Sequence, residues 1–263
     1  MTGPENRGDA EHRGNPDHGS EVAPSRLGVA SEAAPSHEWS ALETATAAMR
    51  RLNRAVAGRR PSDEQLHQLA AEAHQLAARL EAHPRRSKAD DMAAIPHIRA
   101  ATEGRVVPIA IGESVAFDPF SIGGGQLGPS AIEFDVRRDG EDSVVATMAI
   151  DPMFQGPPER VHGGVVALIF DEVMGCLNRI RGQRAFTARL AVDYQAPAPI
   201  GTELTFRAWF HTIDGRKITI RGEGRGPDGP FAEAEGLFIA ARPEPVLAAR
   251  SPEAVGNTPA GLE

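Results

Sequence analysis

The chain has 263 residues, a net charge of -8, 41% apolar residues and one cysteine. A globally acidic chain is unsuited to bulk nucleic-acid binding. A lone cysteine forms no internal disulfide, which suits a reducing cytoplasm, and no run of about 18 uninterrupted apolar residues offers a membrane span.

Residues 1–35 are rich in Gly, Pro, Ser, Glu and His and nearly lack large apolar side chains. Such a stretch cannot bury enough surface to offset chain entropy, so a disordered tail is predicted. It has no apolar segment of a secretory signal, and its acids outnumber its arginines, unlike a mitochondrial transit peptide. Residues 39–83 read as a helical pair. The first helix carries Leu42, Ala45, Met49, Leu52 and Val56 on one side and ends at Gly58 and Pro61. Ser62 and Gln65 form a capping box, after which Leu66, Leu69, Ala73, Leu76, Ala77 and Leu80 form a second apolar stripe. Short isolated helices are marginal, so this pair needs a partner surface. Residues 84–104 read as a polar linker.

From Arg105 the pattern changes to strands. Ile132–Val136 alternates apolar and polar, Asp139-Gly140 signals a hairpin, and Ser143–Ile150 is its partner strand. A proline-rich loop leads to an apolar helix over 163–178. Four strands follow at 185–194, 202–213, 216–225 and 231–240, with turns at Asp214-Gly215 and Pro227–Pro230. These strands are too closely spaced for helical crossovers. One antiparallel sheet curled around one buried helix is the expected α+β arrangement, with an open edge that favours dimerisation. Residues 243–263 read as a second disordered tail.

The helix carries the chemistry. Val161–Leu177 is almost wholly apolar yet holds Asp171 and Glu172. Burying a carboxylate without a partner costs several kcal/mol, so an acid there needs a reason. Two turns upstream, His162-Gly163-Gly164 opens the helix, where N–H groups lack intrahelical partners and a partial positive charge resides. Glycines there admit close approach of a ligand. Free amides and a buried acid on one helix are the components of an acyl-transfer site: the amides stabilise an oxyanion, and Asp171 serves as nucleophile or general base. His162 either positions the reacting carbonyl or caps the helix. Glu172 points about 100° away and is expected to be structural, paired with Arg179 or Arg189. Cys176 is expected to be a packed small hydrophobe.

Other signals are weak. Gly123-Gly124-Gly125 lacks the rest of a P-loop, and Gly222, Gly224 and Gly226 open no helix. His67 and His74 share a helix face, but no Cys/His cluster has zinc spacing. Residues 178–225 hold nine Lys/Arg against four acids, a local excess that can hold a small polyanion or line solvated strand faces.

The segment from Phe154 to Gly164, with Asp171 nine residues after His162, resembles the hotdog-fold acyl-CoA thioesterases of the phenylacetyl-CoA thioesterase group. Thr187-Ala188-Arg189-Leu190, Asp193-Tyr194, Asp214-Gly215-Arg216-Lys217 and Ala234–Ile239 extend the resemblance over about 115–242. It implies a hotdog domain over 105–242 and a homodimer or dimer of dimers with sites between subunits. It also implies hydrolysis of an acyl-CoA to free acid and CoA, coenzyme A being part of the substrate and no metal or other cofactor being needed. By the same resemblance the Gly163 N–H polarises the thioester carbonyl and Gly164 lies against the substrate. Asp171 acts from the facing subunit, Thr187 orients the attacking water, and Arg216 and Lys217 meet the CoA phosphates. Gly156 stands where many relatives of the wider group carry asparagine. A non-catalytic acyl-CoA sensor, with the helical pair as its contact module, is the alternative.

Overall fold

A computed structural model describes residues 39–102, 107–116 and 118–242; the tails expected at 1–35 and 243–263 lie outside the described residues. Helix α1 (Ser40–Gly58) and helix α2 (Asp63–Glu81) form where the apolar stripes end at Gly58 and begin after Ser62. The capping box is present: the Ser62 hydroxyl accepts from the Gln65 N–H, and the Gln65 side chain accepts from the Ser62 N–H. The two helices do not close into a packed hairpin, for α2 buries none of its residues. Helix α1 instead lies on the segment 126–133 through its polar side. Arg50, only 3% exposed, donates to the carbonyls of Gln126 and Gly128 and pairs with Glu133 at 2.8 Å. Removing one partner of such a buried charge costs about 3–5 kcal/mol, which anchors α1.

The expected linker at 84–104 is not a linker throughout. It holds two short helices, α3 (Lys88–Ala94) and α4 (Pro96–Thr102), that bury Ile95 and Ala100. Ser87 caps α3 by accepting from the Asp90 N–H. Seven-residue helices show too few turns for an apolar stripe, so packing decides them rather than periodicity.

The strands are β1 (Val136–Arg138), β2 (Ser143–Ala149), β3 (Ala185–Tyr194), β4 (Glu203–Asp214), β5 (Lys217–Gly226) and β6 (Gly229–Ala240). They form one antiparallel sheet in the order β1-β2-β4-β5-β6-β3. Ile132–Val136 does not pair as expected; only its last residue enters β1. Glu133 adopts a positive φ of 63°, which breaks the extended chain, and its carboxylate takes Arg50 and Arg54. The alternation nevertheless reports burial, since Ile132, Phe134 and Val136 all reach the core.

Helix α5 (Gly163–Arg179) runs inside the curl of the sheet, the hotdog arrangement expected from the resemblance. Val166, Ile169, Phe170, Val173, Met174 and Leu177 face Val144, Leu204, Phe206, Ile218, Ile220 and Phe238 in one core. Phe170, Phe206 and Phe231 stack edge to face at 5.1 and 5.5 Å. Truncating such a ring to Ala costs about 3–5 kcal/mol. The glycines of β5 and β6 have a steric role here. A Cβ on Gly222 would stand 3.1 Å from Met174 and Phe170, and one on Gly236 would stand 2.9 Å from the Met174 sulfur. Among the described residues no helix is long and apolar enough to cross a membrane.

Candidate active site

His162 ends the extended approach to α5 with φ -61° and ψ 132° and caps it: its Nδ1 accepts from the Gly164 N–H at 3.0 Å. An Nδ1 that accepts leaves the ring hydrogen of the neutral imidazole on Nε2. The capping alternative for His162 is therefore the geometry present. It also separates the two glycines. The Gly164 N–H is taken by His162, whereas Val165 and Val166 both donate to the His162 carbonyl. The Gly163 N–H meets no acceptor among the described residues. One free, oriented amide thus stands at the positive end of α5.

Tyr194, the only tyrosine of the chain, packs beside Gly163. Its hydroxyl donates to the Gly163 carbonyl at 2.7 Å, and its ring lies 3.5 Å from the point where a Gly163 side chain would begin. Beside it opens a cavity of about 350 Å3 lined by Pro157, Arg160, Val161, Val166, Ala198 and Phe231. Sequence reasoning quoted Asp193-Tyr194 without giving the tyrosine a task. The available signal was a lone tyrosine at the end of a strand.

Two turns along α5, Asp171 is half-buried rather than enclosed. The Thr187 hydroxyl donates to its Oδ1 at 2.7 Å. Thr187 sits where β3 shifts register against β6, between Thr187 and Arg189; such a bulge re-aims a side chain. Glu172 does not pair with Arg179 or Arg189. It accepts from the Ser121 hydroxyl, whose oxygen in turn accepts from the Gly123 N–H at 3.1 Å, while Arg189 bonds Glu235 at 2.9 Å and Arg179 donates to the Ala116 carbonyl. A Cβ on Gly123 would stand 2.6 Å from the Glu172 side chain, so the glycine admits that contact. Burial raises the Glu172 pKa, and the Ser121 and Gly123 hydrogen bonds offset part of the rise. Asp171 beside it adds to the rise. Cys176 is buried and its thiol is pushed up to about 12 by burial, the state of a packed hydrophobe rather than a nucleophile.

Arg216 and Lys217 form the exposed β4–β5 turn, where Arg216 Nε donates to the Ala240 carbonyl at 2.8 Å. Lys217 aligns with Ile239 of β6, and Ile239 with Phe186 of β3. This turn lies two strands from Thr187, or about 10 Å at the usual strand spacing. The structure therefore groups Asp171, Thr187, Arg216 and Lys217 at one end of the sheet. Gly163, Gly164, His162 and Tyr194 gather at the other.

The thioesterase superfamily model matches residues 159–231, from the loop before α5 into β6. The chain is 28% identical over 110 residues to an acyl-coenzyme A thioesterase THEM4 of Bos taurus, covering 41% of this chain and 45% of that protein. It is 32% identical over 101 residues to THEM4 of Xenopus laevis, covering 38% and 46%. The chain thus spans just under half the length of these relatives. The crystal structure of protein RHA08564, a thioesterase superfamily protein, superposes with a TM-score of 0.60 at 30% identity, covering 76% of this chain and 95% of that one. The chain belongs to the thioesterase superfamily. Within this superfamily chain, the matched stretch 159–231 contains the Gly163 amide, Asp171, Thr187 and Tyr194. Helices α1 to α4 precede that stretch.

Proposed function

We propose that this protein hydrolyses an acyl-CoA thioester to a free acid and CoA at a site shared by two copies of the chain. The observation that carries the reading is the unpartnered Gly163 N–H at the start of the same helix that presents Asp171 to Thr187. A thioester carbonyl seated on that amide gains negative oxygen character as it is attacked, and the helix N-terminus favours the charge. Asp171, fixed by the Thr187 hydroxyl, takes the proton of an attacking water; the second route is direct attack by its carboxylate, with water then opening the acyl-enzyme anhydride. In both routes the carbon–sulfur bond breaks and CoA leaves as the thiol. Thr187, occupied on Asp171, acts on water through that carboxylate. His162 holds the helix entrance and frees the Gly163 amide by occupying Gly164, whose place against the substrate is through its backbone.

Gly163 and Asp171 are eight residues apart on one helix, roughly 12 Å at 1.5 Å per residue, too far to meet one carbonyl. A homodimer or dimer of dimers closes this gap by facing Asp171 of one subunit with Gly163 of the other. The long β3 edge, with Phe186 and Tyr194 exposed, offers the surface. Arg216 and Lys217 are placed to meet CoA phosphates. The reaction calls for no cofactor beyond the CoA of the substrate. The relatives' name and the acyl-CoA chemistry point to lipid metabolism, and the reduced Cys176 suits a cytoplasmic setting.

The test is thiol release from a panel of short, long and aromatic acyl-CoAs by wild type and by Asp171→Asn. The isostere keeps packing and removes the base, so turnover should fall by about 10²–10⁴-fold. Release that survives in Asp171→Asn overturns the mechanism. Binding of acyl-CoA without release from any member of the panel replaces the enzyme by a sensor.

A further inference from the structure

A thioester seated on the Gly163 amide has two arms, and the fold offers each a different surface. In the proposed paired site, the Gly163 end of one subunit faces the end of the other that carries Asp171, Arg216 and Lys217. The CoA arm bears the phosphates and runs toward those two cations. The acyl arm is left with the other side of Gly163, where the cavity of about 350 Å3 opens. That is the size of a small-ligand pocket, which usually holds about 300–1,000 Å3.

The wall of this cavity suits a hydrocarbon. Val161, Val166, Ala198 and Phe231 present buried side chains to it. Pro157 and Pro197 have no N–H to give. The amides of Gln195 and Ala196 donate to the Phe231 carbonyl, and that of Val161 donates to the Ala198 carbonyl. A pantetheine arm carries two amides and a hydroxyl, and such a wall would leave much of that polarity unpaired. A run of methylenes loses nothing there and gains from leaving water.

One charge interrupts the apolar wall. Among the described residues that line the cavity, Arg160 is the one charged side chain, and it stands at the exposed rim. The Tyr194 hydroxyl is spent on the Gly163 carbonyl, and Gln195 is neutral. Arginines elsewhere on the sheet are taken: Arg189 and Arg221 by Glu235, Arg207 by Asp139, Arg225 by Glu223. Arg160 has neither an ion pair nor a side-chain hydrogen bond among the described residues.

Its backbone, by contrast, is firmly held. The Arg160 N–H donates to the Pro157 carbonyl at 3.1 Å, its carbonyl accepts from the Gly156 N–H at 2.9 Å, and the residue bridges to Pro199. Glu159 before it adopts a positive φ of 63°, kept there by its N–H on the Gln155 side chain and its carbonyl under the Ile200 N–H. Non-glycine residues persist in that region only where their surroundings hold them, and they gather at ligand sites. Arg160 precedes Gly163 by three residues, at most about 10 Å of extended chain. The rim cation thus stands a medium-length acyl chain away from the carbonyl seat.

We propose that this cavity takes an acyl chain ending in a carboxylate, and that Arg160 selects the distal charge. The inference rests on the acyl-CoA reading and deepens it: the substrate class is the CoA thioester of a medium-length dicarboxylic acid. Methylenes lie along Val161, Val166 and Phe231, and the far carboxylate accepts from the guanidinium in charge-assisted hydrogen bonds.

The experiment compares suberoyl-CoA, its neutral methyl ester and octanoyl-CoA, three probes that differ at the far end of the chain. Binding is measured by calorimetry in the full Asp171→Asn chain, which slows consumption of the ester. Suberoyl-CoA should bind roughly 5–10-fold more tightly than either neutral probe, since the ion pair is partly exposed. Added salt should shrink that preference. Arg160→Met in the same background should abolish it, and Arg160→Lys should restore part of it. The readout is a ratio between ligands, so a general loss of folded protein does not imitate it. Equal binding of the three probes, binding of none, or a preference that survives Arg160→Met overturns the inference. Thiol release by the wild-type chain reads the hydrolase proposal separately. Release without charge selection defeats only the role of Arg160, and charge-selective binding without release defeats only hydrolysis.

Discussion

The Gly163 amide offers an unusually clean chemical test because of its position. It is the first helical residue after the His162 cap, where proline is well tolerated and where no intrahelical hydrogen bond would be lost. His162, at ψ 132°, already has the backbone that precedes proline, and a Cβ on Gly163 would meet only Tyr194 at ordinary contact distance, 3.5 Å. Gly163→Pro therefore removes that N–H and sets the ring Cδ in the place of its hydrogen, while keeping the helix start. Its kcat should fall by about 10²–10³-fold, the usual effect of losing an oxyanion donor, with the circular dichroism of wild type. Wild-type turnover in this variant would mean the oxyanion sits elsewhere. Tyr194 acts through the same residue. Tyr194→Phe keeps the ring beside Gly163 and removes the bond to its carbonyl. One net hydrogen bond is worth about 0.5–1.5 kcal/mol, so kcat should drop roughly 2–10-fold. KM should hold, and a change confined to KM would make Tyr194 a substrate contact instead.

Elements differ in how far their sequences reveal them. Helix α5 and strands β3 to β6 were legible because local punctuation brackets them: Gly163 and Gly182 at the helix, Asp214-Gly215 and Asp228-Gly229 between strands. Gly215 and Gly229 adopt positive φ values of 55° and 119°, the conformation those turn signals encode. The Asp171 to His162 spacing likewise placed acid and amide on one helix. The Ile132–Val136 alternation was legible as burial but not as pairing, because a positive φ at Glu133 and its arginine partners come from α1, far away in sequence. The Glu172 partners were illegible for the same reason: Ser121 and Gly123 approach it from a loop some fifty residues upstream. Helices α3 and α4 depend on docking, and His97 of α4 makes that docking pH-dependent. Burial first, then the Arg179 charge, lowers the His97 pKa from 6.5 to about 4. Its Nε2 is buried with no hydrogen-bond partner among the described residues. A depressed histidine pKa means the fold selects the neutral ring, so this stability is present above 6.5 and is lost as pH falls toward about 4. Thermal melts across that window should show wild type losing Tm more steeply than His97→Leu. Parallel slopes would clear His97 of the effect.

The described residues carry the Gly163 amide and the Asp171–Thr187 pair, the two halves of the proposed site, toward opposite ends of one sheet. The register of β3 separates them: Thr187 aligns with Phe238 near the Arg216–Lys217 turn, and Tyr194 aligns with Ala232 at the far end. The sheet ends at β3, whose outer edge is unpaired among the described residues. A two-fold partner along this edge would reverse the strand direction and set each amide end against the other copy's acid end. The direct test is complementation between Gly163→Pro and Asp171→Asn chains, each inactive alone, co-expressed and purified as the mixed dimer. A shared site predicts that the mixed dimer regains about half of wild-type thiol release, because one of its two sites pairs an intact Gly163 with an intact Asp171. A mixed dimer as inactive as its parents would show that each site is built within one chain and would contradict the account.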